Sequence, residues 1–203
     1  DTSEVIVYKN KAVLQKIPFT SAPSTTKIYM SCNGTRLIII DPLAFDQKGK
    51  MDVYDYNNST FSLTSTYQPT VPTQLGYNFE KLDFNQDLTM GVWVGVNSPI
   101  RGAVISEVNG AWIEGGETEL SAKTYRSVAM HPTLPKVALS FQNASPVEYR
   151  WDIMDYNATT KTLSSVKTEV PKPGSAEGSP LVTFSDTTVL FVNAKDTFLV
   201  PLE

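Results

Sequence analysis

Two copies of one acidic motif are the first residues in this sequence whose spacing suggests chemistry. The pattern Asp-x-x-Asp-Tyr-Asn begins at Asp52 and again at Asp152, with second carboxylates at Asp55 and Asp155. Carboxylates at equivalent places in a repeat can collect a cation or a sugar. On a strand, residues i and i+3 point to opposite faces, so the two acids of one motif cannot chelate one ion. We therefore expect Asp55 and Asp155 to cap the Asn turns that follow them.

Catalytic chemistry has few other candidates. Glycoside hydrolysis needs two carboxylates about 5–10 Å apart across a cleft. Such a pair could come from Asp41, Glu80, Asp83, Glu107 and Glu148, as it could from most chains with 21 acids. No catalytic residue is predicted from this pattern.

The single His and the single Cys limit metal and nucleophilic chemistry. With His131 and Cys32 alone, an internal disulfide and an ordinary His/Cys zinc site are excluded. We expect His131 to be a turn residue in a polar loop and Cys32 to be a small buried residue. No metal and no cofactor are predicted.

The composition indicates which elements must hold these residues. The chain has 203 residues, 41% of them apolar and 19% charged, which indicates one folded domain. No apolar run approaches the length of a transmembrane helix, and a net charge of −4 argues against nucleic-acid and membrane surfaces. Ser and Thr together number 40, and with Asn, Tyr and Val they indicate an all-β chain.

A hairpin pattern repeats along the chain. Residues 52–60 and 152–160 match at an offset of 100, residues 102–112 fit midway, and residues 5–14 form a fourth copy. Each copy is a β-rich run, a short Asn-containing turn and a second β-rich run, which predicts a β-hairpin. The predicted turns contain Asn10, Asn57 with Asn58, Asn109 and Asn157.

Upstream of each hairpin lies a second repeated unit, in which a short apolar strand, a polar turn and a strongly apolar strand follow one another. Its anchors Met30, Phe84, Met130 and Phe184 are 54, 46 and 54 residues apart. Four-stranded antiparallel units at a period of 40–50 residues are typical of β-propeller blades.

We therefore predict a single-domain small β-propeller over residues 1–203, with four blades of about 50 residues. The blades lie at about 24–68, 78–118, 124–168 and 178–203 with 1–18. The N-terminal hairpin is expected to close the last blade, because a propeller must avoid free sheet edges. Residues 196–202 read as an extra strand that this scheme does not use.

The blade pattern resembles the FG-GAP propeller repeats of the integrin-α type. Gly102-Ala103-Val104-Ile105 with Ala111-Trp112-Ile113 carry the resemblance best, and residues 52–56 and 152–156 carry it second. The calcium loops and the Phe-Gly signatures of that family are absent, so calcium binding is not carried over. The resemblance implies a non-catalytic adhesion or scaffold role.

Aromatic residues near the connections between blades are the predicted ligand-binding residues. They are Trp112, Tyr67, Tyr77 and Tyr125. The connections 67–74 and 170–180, which are rich in Pro, are where binding specificity is expected.

Five N-glycosylation sequons occur, against roughly two expected by chance. We consider Asn33, Asn57, Asn58 and Asn157 as possible glycosylation sites, while Pro146 weakens the fifth, at Asn143. The alternative interpretation is that Asn and Thr are simply good hairpin residues.

Three functions remain open. The first is a non-catalytic, non-enzymatic binding or adhesion module, secreted or on a cell or virion surface, that recognises a protein or carbohydrate through inter-blade loops. The second is a structural coat component of a virion or large assembly, with possible oligomerisation. The third is a propeller glycoside hydrolase. Nucleic acid and membrane insertion are not predicted.

For the first of these functions, we expect the protein from its native source to weigh well above 22.4 kDa and to return to that mass after glycosidase treatment. The measurement is intact-mass spectrometry before and after treatment. A mass equal to that of the bare chain would contradict the prediction and favour the assembly component.

Overall fold

The computed structural model describes residues 3–19, 26–41, 49–68, 82–94, 101–119, 124–144, 147–169, 181–192 and 197–202. These residues form strands and turns and include no helix. Accordingly, this part of the chain contains no apolar helix of membrane-spanning length. The strands pair with their neighbours in sequence to form five sheets.

The chain divides into two compact units, the first comprising residues 1–79 and 109–112 and the second residues 80–108 and 113–203. The first unit begins with a hairpin of β1 (Ser3–Lys9) and β2 (Ala12–Phe19). A four-stranded sheet follows, made of β3 (Lys27–Met30), β4 (Arg36–Asp41), β5 (Lys50–Asn57) and β6 (Thr60–Tyr67).

Three further sheets follow along the chain. The first contains β7 (Leu82–Phe84), β8 (Met90–Val94), β9 (Arg101–Val108) and β10 (Ala111–Glu119). The next contains β11 (Thr124–Met130), β12 (Lys136–Ala144), β13 (Val147–Asn157) and β14 (Thr162–Glu169). The last contains β15 (Leu181–Phe184), β16 (Thr188–Val192) and β17 (Thr197–Pro201). The sequence repeat of about 50 residues is thus a repeat of sheets.

In each four-stranded sheet the second strand is buried from its second residue onward wherever its side chains are described, because both of its faces are covered. In β12, Val137, Leu139 and Phe141 pack into one hydrophobic cluster together with Val92 of β8. Ala138, from the opposite face of β12, packs into another cluster that contains Val189 and Phe191 of β16. In the first unit, Leu37 and Ile39 of β4 pack against Val5, Val7 and Ile17 of the N-terminal hairpin.

The hairpin turns were predicted correctly. Asn10, Asn58 and Asn109 all adopt positive φ, which Asn tolerates better than most residues and which two-residue hairpin turns require. In the β13–β14 turn, Asn157 instead accepts hydrogen bonds through Oδ1 from the amides of Thr159 and Thr160. There the positive φ falls on Lys161.

A polar side chain caps the turn after the first strand of each sheet from β3 to β17. The Oγ of Ser31 accepts from the amide of Arg36, and Asn85 Oδ1 accepts from the amides of Thr89 and Met90. The hydroxyl of Ser185 bonds to that of Thr188. These three caps lie at the same position, directly after the first strand of their sheet.

His131 is the corresponding cap in the third four-stranded sheet. Its Nδ1 accepts from the amides of Thr133 and Leu134 at 3.1 and 2.9 Å, so the ring proton is on Nε2, which donates to the Asp186 carbonyl at 3.2 Å. The prediction of a turn histidine is confirmed, although the ring is 1% exposed rather than in a polar loop. The prediction that Cys32 is buried is wrong, because that residue lies on the exposed part of its turn.

The strand pairing corrects the expected closure of the last blade. β17 pairs with β16 from Val192 opposite Thr197 to Thr188 opposite Pro201, and the N-terminal hairpin forms a separate two-stranded sheet. The reason is local: a strand four residues away along the chain closes a short loop at little entropic cost, so it takes the edge of β16. The residues that read as an extra strand therefore occupy the place assigned to the hairpin.

Neighbouring sheets of the second unit are also joined by hydrogen bonds from backbone amides to side chains. The amide of Met130 donates to Asp83 Oδ2 at 2.9 Å, and the amide of Val182 donates to Ser127 Oγ at 3.2 Å. Burial raises the pKa of Asp83 above its usual 3.8, and the bonds from the amides of Met130 and Phe84 offset this only in part.

The raised pKa predicts how stability depends on pH. Asp83 binds its proton more tightly in the folded state, so its contribution to stability is lost as the pH rises above 3.8 through its folded pKa. We expect Asp83→Asn, which keeps an acceptor for Met130, to raise the free energy of unfolding at neutral pH and to flatten this slope. Denaturant unfolding between pH 3 and 8 measures the free energy of unfolding and its slope with pH. The control is Asp87→Asn, in the adjacent exposed turn. Equal slopes for wild type and Asp83→Asn would contradict the prediction.

Candidate binding groove

The first unit contains a groove of about 450 Å³, which we call the binding groove. It lies between the N-terminal hairpin and the sheet β3–β6. Its apolar and aromatic lining consists of Val7, Tyr8, Leu14, Met30, Tyr56 and Phe61. The remaining lining residues are Lys9 and the turn Asn33-Gly34-Thr35.

The hairpin side of the groove is positioned by strand alternation and one irregularity. Val5 and Val7 of β1 are buried against the sheet. The register shifts between Val7, which pairs with Gln15, and Tyr8, which pairs with Val13, so Leu14 is the extra residue of a bulge. Bulges turn side chains away from the regular alternation, and here Leu14 and Tyr8 both line the groove.

The hairpin is held to the sheet by the side chain of Gln15. Its Nε2 donates to the carbonyl of Phe61 at 2.9 Å, and its Oε1 accepts from the amide of Phe61 at 2.7 Å. This pair of bonds satisfies both backbone groups of Phe61, a groove residue on β6. The two sides of the groove are therefore joined by bonds of defined geometry.

The polar turn of the groove is rigid. Asn33 Oδ1 accepts three hydrogen bonds, from Ser31 Oγ, from the amide of Thr35 and from Thr35 Oγ1, at 2.7, 3.0 and 2.7 Å. Gly34 has a φ of +70°, which a residue with a side chain rarely adopts. The carbonyl of Thr35 accepts from the amide of Tyr56, which fixes the turn beside that ring.

Lys9 is the charged residue of the groove lining. Its Nζ lies 3.1 Å from the hydroxyl of Tyr56, to which it donates, and 5.1 Å from the centre of the same ring. Tyr56 in turn packs against Phe61, with the ring centres 5.2 Å apart. In the described ranges Lys9 forms no ion pair, whereas Lys16, Arg36, Lys50 and Lys136 each pair with a carboxylate.

The acidic motifs support the sheets rather than cap turns. Asp55 forms a two-pronged ion pair with Arg36, through Nε at 2.7 Å and Nη2 at 3.1 Å, and also accepts from Thr64. Asp155 pairs with Lys136 at 2.6 Å. The expected caps are therefore wrong, because each acid faces a cation directly across the strand pair and forms its ion pair there.

The predicted ligand-binding aromatics do not form one site among the described residues. Tyr67 is 5% exposed at the end of β6, so it belongs to the core, and its prediction as a surface residue is wrong. Trp112 is partly buried on β10. Tyr125 lies on β11, but its side chain is outside the described residues, as is all of Tyr77.

The possible glycosylation sites lie on exposed turns. Asn33 is in the turn of the binding groove, Asn57 and Asn58 are at the β5–β6 turn, and Asn157 is at the β13–β14 turn. Their exposure is compatible with a glycan, which remains a prediction.

The acids considered for hydrolysis that the structure describes, Asp41, Asp83 and Glu107, lie on three different strands, β4, β7 and β9. Asp41 is buried and Asp83 accepts a backbone bond, while Glu80 and the side chain of Glu148 lie outside the described residues. Within the described ranges, no group of three His, Cys, Asp or Glu residues could hold a metal ion.

Sequence reasoning did not identify the binding groove. Met30 and Tyr56 were recognised as parts of the repeat, but not as neighbours of Tyr8 and Lys9, which precede the turn of the first hairpin. One sequence feature could have pointed to the groove. An aromatic residue and a cation, Tyr8 and Lys9, stand next to each other directly before the turn at Asn10. This pair of residues does not predict that the hairpin packs on the sheet β3–β6.

Comparison with known proteins gives the fold. No family model and no curated protein matches the sequence. Among solved structures, the complex of KlAtg21 with the coiled coil of AgAtg16 matches 99% of this chain and 59% of that chain, at 13% identity and a TM-score of 0.65. Hydrazine synthase from Kuenenia stuttgartiensis matches 94% of this chain and 55% of that chain, at 15% identity and a TM-score of 0.56. A proposed 6-phosphogluconolactonase from Bacteroides fragilis matches 98% and 65%, at 13% identity and a TM-score of 0.51.

These likenesses and the repeated sheets show that the chain has the all-β propeller fold predicted from its sequence. At such identities the likeness shows the fold alone. The chain spans about 55–65% of the length of these three structures.

The ion pair next to the groove can be tested by its pH dependence. The hydrogen bonds from Arg36 hold the pKa of Asp55 below its usual 3.8, against the opposing effect of burial. The stabilisation is therefore present above pH 3.8 and is lost as the pH falls through the folded pKa. We expect Asp55→Asn to lower the free energy of unfolding at pH 7 by about 1 kcal/mol or less, since the pair is partly exposed, with a smaller difference below pH 4.

The control is Asp155→Asn. Its carboxylate is more exposed and makes one contact with Lys136, so a smaller loss is expected. Urea unfolding at pH 7 and pH 3 measures both variants. An Asp55→Asn difference that does not shrink at pH 3 would contradict the assignment.

Proposed function

We propose that this chain is a non-catalytic protein-binding β-propeller module whose partner occupies the binding groove. The observation that carries the proposal is a groove with an apolar and aromatic lining in which Tyr8 and Met30 remain exposed, while Gln15 and Asn33 hold its two sides by hydrogen bonds.

The lining is more exposed than packing requires. Tyr8 is 62% exposed and Met30 is 45% exposed, yet both border a groove of about 450 Å³. That volume is within the range of about 300–1,000 Å³ usual for ligand sites. Contiguous exposed apolar residues with a polar rim mark interaction sites on soluble proteins.

The groove is also preorganised. Asn33 holds its turn through three hydrogen bonds, and Gln15 joins the hairpin to Phe61 through two. A partner would therefore order few protein groups on binding, which preserves affinity.

The fold has a precedent for protein binding among the similar structures. KlAtg21 is seen in complex with the coiled coil of AgAtg16. This supports a protein partner in preference to a carbohydrate, although that particular partner is not transferred to this chain. Specificity was expected from the sequence in the connections 67–74 and 170–180, of which residues 69–74 and 170–180 lie outside the described residues.

Site-specific cross-linking from the native extract tests the proposal. A photoreactive phenylalanine analogue is placed at Tyr8 in one sample and at Leu63 in the control, since Leu63 is 54% exposed on β6 but does not line the groove. We expect one discrete protein adduct from position 8, competed by excess unmodified chain and at least tenfold weaker from position 63. The adduct should also weaken with the Met30→Ser variant.

Adducts of equal intensity from both positions would contradict the groove as the docking site. Only self-adducts from position 8 would favour the assembly component, and only carbohydrate adducts would favour a glycan ligand. Thermal unfolding of Tyr8→Ser and Leu63→Ser, both at exposed positions, checks that neither substitution acts by unfolding the chain.

A further inference from the structure

We infer that the segment bound in the binding groove is an acidic peptide: an extended stretch that carries a carboxylate next to an aromatic or branched aliphatic side chain. This inference rests on the proposed function and adds the chemistry of the partner.

The cation of the groove is available for a carboxylate. An ammonium group has three donors, and the described contacts of Lys9 use one of them, on the hydroxyl of Tyr56. The ring of Tyr56 lies under the same ammonium and holds it beside the apolar lining. A charge-assisted bond from this position to a carboxylate would be stronger than one between neutral groups.

The charge around the groove favours an anion, although the chain as a whole is acidic. Residues 3–19 contain Lys9, Lys11, Lys16 and Glu4, a formal charge of +2, whereas the full chain carries −4. Glu4 is paired with Lys16 at 3.0 Å. Lys9 and Lys11 therefore supply the unpaired charge at the hairpin tip, and this field attracts an acidic segment and repels a basic one.

The apolar lining defines the second part of the ligand. Val7, Leu14, Met30 and Phe61 surround a space that suits one or two side chains of Phe or Leu size. Burying such a side chain removes apolar surface from water, which supplies affinity, while the carboxylate on Lys9 fixes orientation.

Other anionic or cyclic ligands fit less well. A phosphate needs several convergent donors. Lys9 is the cation of the lining, but the amides of Gly34 and Thr35 and the Thr35 hydroxyl already donate within the turn. A sugar needs polar groups that converge beside an open aromatic face. Tyr8 offers such a face, but Asn33 Oδ1 already accepts three hydrogen bonds and the Tyr56 hydroxyl accepts from Lys9. An extended peptide satisfies both the charged and the apolar parts.

Selection from a display library of random peptides tests the inference on the whole chain. We expect enriched peptides to contain Asp or Glu within two positions of Phe, Tyr, Leu or Ile. Their affinity, measured by fluorescence anisotropy on the synthetic peptides, should fall about ten- to hundredfold in Lys9→Met and more in Lys9→Glu. Lys9→Arg should retain most of it, and added salt should weaken binding by wild type more than by Lys9→Met.

The control for charge alone is Lys161→Met, which removes an exposed lysine of the β13–β14 turn. It should leave the affinity unchanged. The control for the groove is Tyr8→Ser, which should weaken binding without altering the salt dependence.

The outcomes separate the two proposals. Binding that Tyr8→Ser weakens but Lys9→Glu does not would overturn the acidic peptide and leave the protein-binding groove intact. Enrichment of neutral or basic peptides that bind the groove would likewise overturn the acidic peptide and leave the protein-binding groove intact. Failure of the selection to yield any peptide sensitive to either substitution would overturn both, and binding of inorganic phosphate that depends on Lys9 would replace the peptide with a simple anion.

Discussion

The rest of the structure depends on one constraint, the burial of the second strand of each four-stranded sheet on both of its faces. In β12, alternate residues enter two separate hydrophobic clusters, one shared with β8 and the other with β16. A sheet of this kind cannot bury its own apolar residues, so each one needs a neighbour, as the repeats of other repeat proteins do. Packing therefore restricts the residue types on the buried strands, whereas the turns and hairpin tips tolerate different residues.

The caps of the first turns illustrate how that freedom is used. Ser31, Asn85, His131 and Ser185 each follow the first strand of their sheet. The first three accept hydrogen bonds from backbone amides of the turn, at different positions in it, and Ser185 bonds to the Thr188 hydroxyl. The single histidine is therefore a structural cap, as its predicted place in a turn indicated, and its ring nitrogens are engaged with two amides and a carbonyl. In the first sheet the same position, through Ser31 and Asn33, also sets the turn of the binding groove.

Features encoded within a few residues could be predicted from the sequence. The continuous apolar run at Leu37–Ile40 and the Asn turns carry their structure locally, and the repeat of sheets follows from their spacing. The closure of the last sheet could not be predicted, since it depends on competition between β17 and the distant N-terminal hairpin for one edge. Tyr67 was misplaced for a related reason: its position beside a Pro-rich connection suggested exposure, but its pairing with Met51 directs it into the core.

The binding groove also depends on contacts between residues that are distant in the sequence, because its lining residues meet only when the hairpin packs on β3–β6. Packing explains Val5, Val7 and Ile17, which are buried against Leu37 and Ile39. It does not explain Tyr8, whose ring remains mostly in water and whose replacement by a polar residue would cost the fold little. Nor does it explain why Lys9 lies over an aromatic ring with no carboxylate beside it among the described residues. An exposed aromatic side chain and an unpaired cation at the open end of a preorganised groove are better accounted for by a ligand than by stability.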